Sequence, residues 1–171
     1  VWNVGGLRPT KQHYDRHWNA PEDTSAQKRK QEQVSRMLNS NKLTNVAIGA
    51  ILETRTTSST NAPLLQMFRN AGYNSHHCHK ATDLQGDPTG ITVYWDSRYV
   101  SIDGFETVIP GRLVTCVARV KHNGMKYPIM VVYLHSNIAS PLERLACENT
   151  IEKIEANIKD DMIILGDLNS Y

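Results

Sequence analysis

No apolar run in this sequence approaches the roughly 20 residues that a membrane-spanning helix needs, so no spanning segment is expected. Cysteine is scarce: Cys78, Cys116 and Cys147 are odd in number and far apart. That excludes a disulfide scaffold as the basis of stability and makes a reducing, intracellular compartment the expectation. Neither sign of charge dominates, the net being +2. Internal repeats and low-complexity linkers are lacking, and 171 residues without them suggest one domain. What is present is a soluble globular balance, 40% hydrophobic and 21% charged.

The small net charge is unevenly placed. Residues 1–42 hold eight Lys/Arg against four Asp/Glu, and the remainder holds eleven against thirteen. Lys28-Arg29-Lys30 lies in the basic part. Such a run suits a polyanion, and it equally suits a solvated helix face.

Hydrophobic spacing divides the chain into alternating elements. A short strand at Val1–Val4 ends at Gly5-Gly6, and residues 8–24 are polar and loop-like. Thr24-Ser25 caps a helix expected over 26–39, with Ala26, Val34, Met37 and Leu38 on its apolar face. Val46–Leu52 is an apolar run of strand length that ends at Glu53. A helix over 63–71 is stopped by Gly72, and a strand follows over 73–80. Strands are expected at 91–95, 99–102, 113–120 and 129–134, with an Asn123-Gly124 hairpin between the last two. Pro141 opens a helix whose Cys147, Ile151, Ile154 and Ile158 recur at three- and four-residue spacing. Met162–Leu165 reads as a buried strand. The order implies an α/β fold, a layered domain with a mixed sheet.

Chemistry collects at strand ends. Asn3 precedes Gly5-Gly6, Glu53 closes one apolar strand, and Asp167 and Asn169 close another. In Gly166-Asp167-Leu168-Asn169 the acid and the amide are two apart, so on extended backbone they share a face. An acid beside an amide donor can orient a water on a phosphate and hold its oxygens. Glu53 with amide oxygens suits one hard, oxygen-liking cation such as Mg²⁺, which polarises a phosphate.

These segments carry a resemblance. Trp2-Asn3-Val4-Gly5-Gly6-Leu7, Leu52-Glu53-Thr54, Gly90-Ile91-Thr92-Val93, Val132-Tyr133 and Gly166-Asp167-Leu168-Asn169, in this order, resemble the endonuclease/exonuclease/phosphatase family over the whole chain. Leu52-Glu53-Thr54, Pro110-Gly111-Arg112-Leu113 and the Tyr133 segment look most like the apurinic-type endonuclease domains of non-LTR retrotransposons. The resemblance implies a layered α/β sandwich of mixed sheets flanked by helices. It implies Glu53 as principal Mg²⁺ ligand, with Mn²⁺ as the alternative ion, supported by Asn3. Tyr133 would contact the scissile phosphate, Asp167 would orient or activate water, and Asn169 would hold the phosphate. Arg112 would be a substrate-backbone contact or a structural partner. The implied reaction is in-line phosphodiester hydrolysis with DNA as substrate, leaving a 3′-hydroxyl; an intracellular protein is implied, nuclear if it serves a retroelement.

In that family the sheet continues past the Gly-Asp-x-Asn strand and a later Asp-His pair completes the site. This sequence ends at Tyr171 without one. The expectation is therefore a single domain over 1–171, truncated after that strand and C-terminally incomplete. A C-terminal segment or a protein partner would complete it, and the chain alone would be inactive or incomplete. A structural or assembly role on the same fold is the alternative, and a phosphatase activity is a third reading. His135, two residues after Tyr133, reads as a local contact rather than a replacement catalytic histidine.

Other clusters invite ordinary readings. His76-His77-Cys78-His79 splits across two strand faces, which cannot converge four ligands on one zinc ion, so it reads as a polar strand edge. Trp2, Trp95 and Cys147 read as core. His13, Tyr14, His17 and Trp18 form an aromatic, basic loop that either packs on the domain or stacks on nucleic acid.

Overall fold

The computed structural model describes residues 1–3, 24–54, 62–79, 89–134 and 141–168. Among them lie eight strands and three helices in the order β1 (Trp2–Asn3), α1 (Thr24–Leu43), β2 (Ile48–Leu52), α2 (Ala62–Asn70), β3 (Asn74–Cys78), β4 (Ile91–Trp95), β5 (Val100–Ile109), β6 (Leu113–Val120), β7 (Lys126–Tyr133), α3 (Pro141–Asn157) and β8 (Ile163–Asp167). Two four-stranded sheets form, ordered β1-β2-β4-β3 and β5-β6-β7-β8. Each is mixed: β1 pairs with β2 and β7 with β8 in parallel, and the other neighbours are antiparallel.

Three apolar clusters make the layers. Between the sheets, Ala50, Leu52, Ile91 and Val93 meet Val114, Cys116, Ile129, Val131 and Tyr133. On the outer face of the first sheet, Val34 and Leu38 of α1 and Leu64 and Phe68 of α2 cover Ile51, Tyr73 and Tyr94. On the outer face of the second, Leu113, Met130 and Val132 pack with Ile154 of α3. Alternation explains the arrangement, because successive residues of a strand face opposite layers. Ile51 joins the helix layer while Ala50 and Leu52 join the inter-sheet core. The order is helix, sheet, sheet, helix.

Several elements depart from their sequence expectations. The strand expected at 99–102 runs over Val100–Ile109 and accommodates two register shifts; its half-exposed edge position hides it from an apolar-run criterion. In α3, Cys147 and Thr150 face the sheet with Ile154, while Ile151 and Ile158 are exposed. The strand at Met162–Leu165 is not buried. It becomes β8 at a sheet edge, where Ile163 is 42% and Ile164 43% exposed. An edge strand covered on one side only keeps apolar side chains in solvent.

At one end of the first sheet an ion cluster around the buried Asp96 ties the helix layer down. Asp96, just past β4, is paired with Lys42 of α1 at 2.7 Å and Arg98 at 2.8 Å, and it accepts the Arg98 backbone N–H at 3.0 Å. Lys42 also donates to the Gly72 carbonyl at 2.8 Å and lies 4.7 Å from the Tyr73 ring centre. The Arg98 guanidinium, then Lys42, hold the Asp96 carboxyl well below the usual carboxylate range despite its burial. The cluster therefore stabilises fully above about pH 4 and loses its contribution as acid protonates Asp96. Asp96→Asn should cost about 2 kcal/mol, lowering the thermal midpoint by several degrees at pH 7 and by less at pH 3. Arg119→Ala, which removes the exposed 3.1 Å pair with Asp103, should change it by less than about 1 kcal/mol. Thermal melts at both pH values check this.

Candidate active site

The strands deliver their polar ends to one place. Leu52, the last residue of β2, pairs with Ile91 at the start of β4, and Cys78 at the end of β3 pairs with Ile91 as well. In the second sheet, Leu113 at the start of β6 pairs with Val132, and Tyr133 pairs with Asp167 at the ends of β7 and β8. The two ends coincide: the Gly90 N–H donates to the Gly111 carbonyl at 3.0 Å, crossing from one sheet to the other.

That bond belongs to a run of backbone contacts. Thr54 N–H donates to the Gly90 carbonyl at 3.1 Å, Tyr133 N–H to the Arg112 carbonyl at 2.8 Å, and Leu134 N–H to the Asp167 carbonyl at 3.0 Å. Glu53, Arg112, Tyr133 and Asp167 thus sit on or beside one hydrogen-bonded belt. Asn3 joins through strand pairing, as the parallel register partner of Leu52. Asn169 and His135 fall outside the described residues, as does the 13–18 aromatic loop.

Glu53 is buried and has φ of +58°. A non-glycine residue in the left-handed region costs of order 1 kcal/mol or more and persists where its surroundings dictate it. Here the turn ends the alternation of β2 and passes directly to the Thr54–Gly90 bond. Asp167 is half-buried, and its register partner Tyr133 belongs to the inter-sheet core, so Asp167 continues that face. Gly166 explains the first letter of the Gly-Asp-x-Asn signature: a β-carbon there would collide with the Val132 carbonyl. Only glycine lets β8 approach β7 this closely one residue before Asp167.

Arg112 and Tyr133 are packed as one unit. Arg112 is 6% and Tyr133 1% exposed. The guanidinium carbon lies 5.5 Å from the Tyr133 ring centre, and Nη1 donates to the Tyr133 carbonyl at 3.3 Å. Pro110-Gly111 forms the turn that presents Arg112. Arg112 N–H closes it on the Ile109 carbonyl at 3.0 Å, and Gly111 supplies φ of +70°, the pattern of a type II turn.

Sequence reasoning placed Thr54 in a matching segment and Cys78 on a polar strand edge and foresaw the contacts of neither. The Cys78 sulfur accepts the Gly111 N–H at 3.2 Å, which anchors the turn to the first sheet, and burial pushes its thiol up from its ordinary value. No local signal marks such a cysteine, because its partner is 33 residues away. The neighbouring histidines separate by face as alternation requires, yet they are more engaged than a polar edge. His76 stacks on Phe105 at 3.9 Å, and His77 bonds Thr92 Oγ1 at 2.8 Å and lies 5.9 Å from the His79 ring.

Glu53 offers a cation a carboxylate, a hard oxygen donor. Among the described residues no three His, Cys, Asp or Glu side chains are grouped for a metal ion. One carboxylate with few protein ligands fits Mg²⁺, which keeps several of its waters, better than it fits zinc.

No protein-family model matches the sequence, and no curated protein is significantly similar to it. Solved structures do match. An endonuclease/exonuclease/phosphatase family protein from Bacteroides thetaiotaomicron superposes with a TM-score of 0.59 at 10% identity, covering 98% of this chain and 62% of that one. The chain has the endonuclease/exonuclease/phosphatase fold. ANGEL2, a 2′,3′-cyclic phosphatase solved with adenosine-2′,3′-vanadate, gives 0.58 at 12% identity, covering 99% of this chain and 52% of that one. D. rerio TDP2 in complex with a single-stranded DNA product gives 0.53 at 16% identity, covering 80% and 54%. The chain spans between about half and two thirds of the length of these structures.

Two outcomes follow from this geometry. Gly166→Ala should force β8 away from β7 and cost about 2 kcal/mol or more, read as a lowered urea midpoint with loss of amide protection in β8. Burial, with His79 and His76 adding to it, lowers the His77 pKa to about 4. The unfolded chain therefore takes up a proton near pH 6.5 that the native state refuses, and stability falls as pH drops from about 6.5 to 4. His77→Gln should flatten that slope by up to about 1.4 kcal/mol per pH unit in urea titrations.

Proposed function

We propose that this chain carries the principal groups of a metal-dependent phosphodiesterase acting on DNA. The observation that carries the reading is the belt that brings Glu53, Tyr133 and Asp167 to one end of the sandwich, with Asn3 on the neighbouring strand. Glu53 and Asn3 would hold Mg²⁺, or Mn²⁺ in its place. The ion would polarise the phosphate and offset charge on the leaving oxygen. Asp167 orients water for in-line attack on phosphorus and takes its proton; the bond from phosphorus to the 3′-oxygen breaks, and that oxygen takes a proton from solvent to become the 3′-hydroxyl. Tyr133 and Asn169 position the phosphate, and the rigid setting of Tyr133 suits that task.

DNA as substrate is supported by the DNA product bound to the similarly folded TDP2. A phosphatase reading draws on ANGEL2 in the same way. The retroelement endonuclease, with a nuclear site of action, rests on the sequence segments around Glu53, Arg112 and Tyr133. No helix among the described residues is long and apolar enough to cross a membrane.

A second reading, a structural or assembly subunit on this fold, is favoured by one feature. Among the described residues β8 is the last strand of its sheet, and Ile163, Ile164 and, just past it, Leu168 are exposed. The same edge suits a further segment or a protein partner that completes the sheet and the site.

Nicking of supercoiled plasmid in Mg²⁺ separates these readings. Activity that disappears with EDTA and falls at least about 100-fold in Asp167→Ala and Glu53→Gln supports the nuclease. A folded wild-type chain without nicking, even with a longer chain extending past Tyr171, overturns it in favour of the structural subunit.

A further inference from the structure

We propose that Arg112 is a positioning residue that sets Asp167 through a single peptide group, and that it does not bind the substrate itself. The inference rests on the phosphodiesterase reading for its consequence, and on geometry for its substance.

The peptide joining Tyr133 to Leu134 is gripped from both sides. Its carbonyl accepts Arg112 Nη1 at 3.3 Å, and its N–H donates to the Asp167 carbonyl at 3.0 Å. A peptide group is planar, so its C=O and N–H turn together. Fixing the carbonyl therefore fixes the direction of the N–H that holds Asp167. A cation on the carbonyl also polarises the group and strengthens the bond its N–H donates. Arg112 closes the grip elsewhere on the same residue: its own carbonyl accepts the Tyr133 N–H at 2.8 Å, and its guanidinium lies over the Tyr133 ring.

The same contacts argue against a phosphate role. Nη1 is committed to the Tyr133 carbonyl and the guanidinium to the Tyr133 ring, so a substrate contact through that nitrogen would release the peptide that holds Asp167. The guanidinium plane is what makes the arrangement work, because it lies over a ring while its edge donates. Lysine keeps the charge and lacks the plane, so Arg112→Lys is the informative substitution.

Two measurements on the full chain test this. In Arg112→Lys the Leu134 amide should exchange with solvent at least tenfold faster, while amides of β2 and β4 keep their rates. Where the wild type nicks plasmid, the variant's kcat should fall about tenfold with KM for DNA unchanged. Unaltered Leu134 exchange overturns the proposal, as does a retained kcat with a raised KM, the sign of a lost phosphate contact. The second measurement needs no variant: the Arg112 side-chain NMR signals of the wild type during titration with a short duplex oligonucleotide. Signals that stay in place while backbone amides near Asp167 shift support positioning, and a direct shift of the guanidinium overturns it. A chain that neither nicks nor binds DNA removes the phosphodiesterase reading, and Leu134 exchange still decides the coupling.

Discussion

One hydrogen bond between the sheets holds the rest in relation: the Gly90 N–H on the Gly111 carbonyl. Apolar packing between sheets is non-directional and leaves two layers free to slide until something polar fixes their register. This bond supplies the direction at the end where the acids lie, and the Cys78 sulfur on the Gly111 N–H reinforces it. Glu53 is reached from Gly90 through Thr54 on one side. Arg112, Tyr133 and Asp167 follow from Gly111 on the other.

The opposite end of the first sheet is held differently. There the Asp96 cluster joins α1 to the end of β4 through charged side chains. At the end where Glu53 and Asp167 lie, main-chain hydrogen bonds hold the frame, and the Cys78 sulfur and the Arg112 guanidinium reinforce them.

Among the described residues β8 is an outermost strand of the second sheet. Tyr133 on β7 is enclosed, and Asp167 one strand further out is only half-buried. A segment or partner pairing with that strand would hide Ile163 and Ile164.

Much of this was legible in the sequence. The Val46–Leu52 run, the Asn123-Gly124 hairpin and the Pro141 helix all emerged near their expected places, because period and turn chemistry are local properties. The ends of three strands were marked by Asn3, Glu53 and Asp167 for the same reason. Burial was less legible. Met162–Leu165 is apolar enough for an interior strand and became an edge, since a strand's position in a sheet depends on partners distant in sequence. Ile151 and Ile158 have helical spacing, yet it is Thr150 that faces the sheet.

The sequence by itself determined the alternation of elements, the turn at Pro110-Gly111 and the chemistry available at the strand ends, all of which depend on residues within a few positions of one another. Only the tertiary structure decided that Gly90 meets Gly111, that Cys78 braces the turn, and that Arg112 lies on Tyr133 rather than in solvent. Those contacts join residues 21 to 33 positions apart, and they exist only once two sheets have packed and excluded water between them.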